Sequence, residues 1–122
     1  MGRSANEQIL HDWVIRTIQA RYSRNYSEVN INPSDEKNYE FKGKYPDAVF
    51  VNYGQVVQII EVETNDTVIQ DSVEKWRGLS DLGAKLVLLV PKDVQNIARD
   101  LCWKDGLAAK IKIASFDFQL NL

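Results

Sequence analysis

Apolar residues recur three and four positions apart from Ile9 to Tyr22 (Ile9, Leu10, Trp13, Val14, Thr17, Ile18, Arg21-Tyr22), the spacing of one helical face. Ser4, with Glu7 three residues on, stands just ahead of this run as a capping box. A short strand is expected over Glu28–Asn32, ended by Pro33. The polar stretch Asn32 to Tyr45 reads as a surface loop with a short extended piece inside it. Two β-rich runs follow, Ala48–Val51 and Val56–Val62, separated by Asn52-Tyr53-Gly54-Gln55, and predict a hairpin. In both runs apolar side chains fall at odd and even positions alike, so both sheet faces should be covered.

A second helix is expected from about Thr67, where Thr67 and Gln70 fit a capping box. Its apolar stripe is Ile69, Val73, Trp76, Leu79 and Leu82, with Gly83 as the C′ residue. Leu86–Val90 is an uninterrupted apolar run, short enough for a central strand, and Pro91 ends it. A third helix, Asp93 to about Lys104, turns Val94, Ile97, Ala98, Leu101 and Cys102 inward, and a last strand opens at Ile111 and runs toward Phe118. The order α-β-β-β-α-β-α-β implies an α/β fold, a mixed central sheet flanked by helices. No repeat or Pro/Gly-rich linker interrupts it, so residues 1–122 read as one domain.

Composition narrows the chemistry. Fifteen Lys+Arg against 17 Asp+Glu give a net charge of −2, which excludes a generally basic nucleic-acid binder but not a local basic patch. One cysteine, Cys102, excludes an internal disulfide and a cysteine-based zinc cluster; one histidine, His11, excludes a multi-histidine site within the chain. No apolar run is long enough to span a bilayer, and the polar residues 1–7 carry no signal-peptide core, so a cytoplasmic location is expected. Carboxylates, lysines and hydroxyls remain.

Among these, Asp47, Glu61 and Glu63 are the informative group. Glu61 and Glu63 leave one strand on the same face, about 6.5–7 Å apart. If the hairpin loop is the three residues Tyr53-Gly54-Gln55, Asn52 faces Val56 and Asp47 lies directly across from Glu61 on that face. A two-residue loop would put Asp47 opposite Ile60, on the other face. Like charges across a ladder repel, more so at the end of an apolar strand, and call for a cation or a bound proton. Such oxygen donors suit Mg²⁺ or Mn²⁺, which could activate water and offset charge on a phosphodiester.

Pro46-Asp47, then Glu61-Val62-Glu63 at the end of the next strand, an amphipathic helix and another apolar strand resemble the PD-(D/E)XK nuclease superfamily over roughly residues 5–90. The superfamily includes restriction endonucleases and Holliday-junction resolvases. The resemblance implies a restriction-endonuclease-like αβββαβ core, here with an additional C-terminal helix and strand, and a Mg²⁺-dependent nuclease acting on DNA in repair, recombination or defence. It implies Asp47 and Glu61 as metal ligands, the Val62 carbonyl as helper, and Glu7 as an auxiliary acid from the first helix. Where the family has its lysine this chain has Glu63, a Glu-x-Glu variant, which would orient or deprotonate the water. Lys75 on the following helix stands in for the lysine, with Lys44 a weaker candidate. The resemblance also implies a homodimer. The alternative is a nuclease fold that has lost catalysis and serves as a binding or scaffolding module.

Simpler readings stand beside these. Glu61 and Glu63 could pair with nearby cations, Pro46-Asp47 could only start a turn, Glu7 could only cap, and Lys75 could be solvated. Gln70 is explained by capping, His11 by a partly buried or rim place on the first helix, and Cys102 by packing. Trp13, Trp76 and Trp103 read as core or interface residues, and Arg16, Arg21, Arg24, Lys42 and Lys44 as solvated charge or a phosphate-facing patch.

Overall fold

The computed structural model describes residues 3–34 and 36–117. Helix α1 spans Ala5–Tyr22, and Ser4 caps it by accepting the Glu7 N–H at 3.2 Å. Strands β1 (Glu28–Ile31), β2 (Ala48–Asn52) and β3 (Gln55–Val62) follow. Helix α2 is Val73–Ser80, β4 Lys85–Pro91, α3 Gln95–Lys104 and β5 Ile111–Phe116; the expected end of the last strand at Phe118 lies outside the described residues. The five strands lie in chain order, antiparallel from β1 to β3 and parallel from β3 to β5. The fold is therefore α/β with a mixed sheet.

Each face of the sheet carries its own core. On one, Val14, Ile15 and Ile18 of α1 pack on Val29, Ile31, Ala48, Phe50, Ile60 and Val87. On the other, Trp76 and Leu79 of α2 and Ala98 and Cys102 of α3 pack on Val49, Ile59, Leu86, Leu88 and Val90. Burial on both sides accounts for the continuous apolar run of β4.

Four expectations need correction. The buried stripe of α1 is His11, Val14, Ile15 and Ile18, whereas Ile9 and Trp13 are exposed. The second helix starts six residues later than Thr67, because the Thr67 hydroxyl accepts the Thr64 N–H at 3.0 Å. That closes a turn of 3₁₀ helix at Asn65–Thr67, and a second follows at Gln70–Ser72 before α2 begins. Ile97, expected to face inward, points outward from α3; of the tryptophans, read as core or interface residues, Trp76 lies in the core and Trp13 and Trp103 lie on the surface.

The hairpin carries the fourth correction. Its turn has two residues, not three: Asn52 pairs with Gln55, and Tyr53 and Gly54 both have positive φ, as a tight turn matching strand twist requires. Taken alone, that turn would put Asp47 opposite Ile60. Val51 pairs with Val56 but Phe50 with Gln58, so Val57 is an extra residue, a β-bulge. The bulge shifts the register by one, and Ala48 then pairs with Ile60. One step further, Asp47 stands across from Glu61.

Candidate functional site

The acidic residues collect where β2 begins and β3 ends. Asp47 lies just before β2, and its Oδ2 accepts the Val62 N–H at 2.8 Å, which ties it across the strand pair. Its own N–H faces Glu61 Oε1 at 3.4 Å. Glu61 and Glu63 leave β3 on the face covered by α2, whose Lys75 reaches both: Nζ is 3.3 Å from Glu61 Oε2 and 2.7 Å from Glu63 Oε2. Of the sequence candidates, Asp47, Glu61, Glu63 and Lys75 are thus brought together.

Glu63 is fully buried and fully engaged. Trp76 Nε1 donates to its Oε2 at 2.8 Å, beside Lys75, and Arg3 Nη2 donates to its Oε1 at 3.2 Å. These contacts hold Lys75 in position and leave Glu63 as an anchor for cations rather than a carboxylate open to water. Arg3 also donates to the Val62 carbonyl at 3.0 Å and to Thr64 Oγ1 at 3.1 Å. A carbonyl oxygen has two lone pairs, so Val62's can accept a second partner beside Arg3.

Glu7 does not join the group. Its recorded contact is the helix cap, and the α1 residue that arrives is His11, one turn further on. His11 is buried, with Nε2 3.0 Å from Asp47 Oδ2 and Nδ1 3.1 Å from Asp12 Oδ1. The available signal was its spacing to Val14, Ile15 and Ile18, which puts it on the core-facing stripe. Arg3 had no such signal, because its partners lie about 60 residues away. Gln70 bonds Asp105, Arg16 pairs with Glu36, and Lys42 donates to the Leu82 carbonyl; none reaches the cluster.

Electrostatics separate the acids. Burial, then the charge of Asp47, pushes the Glu61 carboxyl up to about 8; Lys75 opposes this and Glu63 adds to it. Burial works against the charged forms of both Lys75 and His11. The charges of Glu61 and Glu63 nevertheless hold the Lys75 ammonium above its ordinary value, and Asp47 does the same for the His11 imidazole.

Two small hollows meet at Glu61 and Tyr45. One, of about 250 Å³, is bordered by Arg3, His11 and Asp47; the other, of about 200 Å³, by Lys44 and Lys75. Larger hollows, of about 440 and 630 Å³, lie beside α3 and near Pro91, away from the clustered acids.

Among the described residues no group of three or more His, Cys, Asp or Glu side chains is arranged to hold a metal ion. Mg²⁺ needs less, since it commonly takes one or two carboxylates and fills its sphere with water and substrate oxygens. Asp47 and Glu61 meet that requirement. Both Asp47 hydrogen bonds from described side chains and backbone fall on Oδ2, which leaves Oδ1 for a ligand, and the raised Glu61 marks a place short of positive charge. Among the described residues no helix is long and apolar enough to cross a membrane. No family model, curated protein or solved structure matches the chain.

Proposed function

We propose that the chain is a Mg²⁺- or Mn²⁺-dependent deoxyribonuclease with a restriction-endonuclease-like core. One observation carries this reading: Lys75, absent from the Glu61-Val62-Glu63 motif, arrives from α2 within 3.3 Å of the carboxylate that stands beside Asp47. The element order through β4, αβββαβ, is the order the resemblance implies and supports the same reading.

Asp47 and Glu61 would hold the ion, with the Val62 carbonyl beside them. When bound, it supplies Lewis acidity and a water of lowered pKa. Lys75 stands where it can orient a water and offset charge on a phosphodiester, and Glu63 fixes Lys75 there. Arg3 and Lys75, with His11 beside Asp47, offset part of the charge of the carboxylates before an ion enters. A divalent ion would add the further positive charge that an anionic DNA strand requires. At a chain charge of −2, two copies or a partner would concentrate that positive field.

A binding or scaffolding module is the second reading, and one observation favours it: each carboxylate already has an Arg, Lys or His side chain as partner. Supercoiled plasmid incubated with Mg²⁺ or Mn²⁺ separates the two. Nicking by the wild type and its loss in Asp47→Ala supports the nuclease. Nicking that survives the substitution overturns the assigned site, and none with either ion supports the module.

A further inference from the structure

We propose that His11 is the positioning residue of Asp47: it fixes one carboxylate oxygen so that the other faces the ion, and Asp12 and Ser34 hold His11 in turn. This rests on the nuclease reading and extends it to the helix α1, from which an acidic ligand was expected.

The geometry is a relay with a fixed direction. His11 is buried on the core-facing stripe of α1, which leaves its ring few other orientations. Its Nε2 lies 3.0 Å from Asp47 Oδ2, the same oxygen that accepts the Val62 N–H at 2.8 Å. Two donors on one oxygen restrict the plane of the carboxylate, and Asp47 borders the hollow that Glu61 also borders. Behind the ring, Nδ1 is 3.1 Å from Asp12 Oδ1. Asp12 is gripped by the loop after β1, through the Ser34 hydroxyl and the Ser34 N–H at 3.2 Å. Gln8 reaches Asp12 at 3.3 Å and Ser34 at 2.6 Å. A histidine whose second nitrogen faces a carboxylate has its orientation and proton placement set by it, a relation well known around bound metals. Here it acts one residue further out, on an acid rather than on the ion.

A histidine that merely fills space would need none of this second layer. Asp12 on α1 meets His11 Nδ1, and Ser34 in the loop after β1 meets Asp12, so two different elements support the ring in series from outside the core. Removing them leaves the packing of Val14, Ile15 and Ile18 intact.

The test is Mn²⁺ binding, followed by the paramagnetic resonance of free Mn²⁺, alongside plasmid nicking and thermal melting. In His11→Ala the dissociation constant should rise about 10–100-fold, the usual cost of losing an outer-layer partner. His11→Gln keeps a donor amide near the position of Nε2 and should restore most of the affinity. Asp12→Asn and Ser34→Ala, both outside the core, should raise the dissociation constant severalfold while melting stays near wild type. Wild-type affinity in His11→Ala, or no rescue by His11→Gln, overturns the positioning role and leaves the nuclease standing. Should His11→Ala fail to fold, the Asp12 and Ser34 variants decide: unchanged Mn²⁺ binding in both overturns it. A wild type that neither binds Mn²⁺ nor nicks DNA removes the nuclease reading and this inference together.

Discussion

Replacing Glu61 by glutamine should make the metal-free protein more stable at pH 8, although it removes an ion-pair partner of Lys75. Burial and Asp47 raise the Glu61 carboxyl from 4.5 to about 8 in the folded chain. Between those values the folded chain keeps a proton that the unfolded chain has released, so stability falls as pH rises through the window. At 1.36 kcal/mol per pH unit, the full fall is about 5 kcal/mol. Glutamine has nothing to release and escapes it. The opposing pull of Lys75 is already contained in the value of about 8, so the net gain at pH 8 is about 4–5 kcal/mol. For a domain of this size that is a rise of roughly 15–20 °C in Tm. At pH 5 both proteins are mostly neutral at this position and should melt within a few degrees of each other. His11, also raised, adds a fall above its ordinary 6.5 in both proteins, so their difference isolates Glu61. Circular-dichroism melts in EDTA at the two pH values read the effect. Mn²⁺ at a hundred times its dissociation constant should raise the wild type by about 2.7 kcal/mol and the variant by far less. A variant less stable than wild type by the same amount at both pH values would mean that Glu61 is charged and satisfied by Lys75. No cation would then be wanted, and the reasoning fails.

Three further outcomes follow from the same contacts. Lys75→Met should lower nicking by about 10²–10³-fold, the usual loss for one charge-stabilising donor. Its Tm should also fall, because the fully buried Glu63 loses a cation 2.7 Å away and keeps only Arg3 and Trp76; nicking rates measured well below the melting range of both proteins, with the melts beside them, test both halves. Trp76→Phe withdraws the indole N–H from a fully buried carboxylate and should cost about 1–3 kcal/mol in urea denaturation, with the slope unchanged. Tyr53→Asn should stabilise by about 1 kcal/mol, since Tyr53 is almost fully exposed and holds a left-handed φ of 51° that asparagine adopts more readily. The same urea measurement checks it, and nicking should not change.

Local signals in the sequence carried much of the fold. Ser4 and Glu7 marked the start of α1, and the run Leu86–Val90 announced a strand buried on both sides. The failures arose where two local signals competed. Thr67 fits a cap for α2 on paper, but Thr64, three residues earlier, takes its hydroxyl for a different turn. At the site, Asp47, Glu61 and Glu63 were legible because strand alternation is short-ranged. His11 was misjudged because the exposed Ile9 and Trp13 blurred the stripe that contains it. Arg3 and the reach of Lys75 to Glu61 and Glu63 depend on how distant elements dock. No spacing rule encodes that.

The compensation between the Tyr53-Gly54 turn and the extra Val57 bears on how this chain can change length. Exposed hairpin tips ordinarily accept added or deleted residues freely. Here a residue added at the tip lengthens the loop and leaves Asn52 paired with Gln55, and loss of the extra Val57 removes only the bulge, so Asp47 keeps its place across from Glu61 in either case. Variants that keep the acids side by side can therefore change length at the tip and in the strand independently, because the buried alternation of β2 and β3, and not the loop, holds the two carboxylates together.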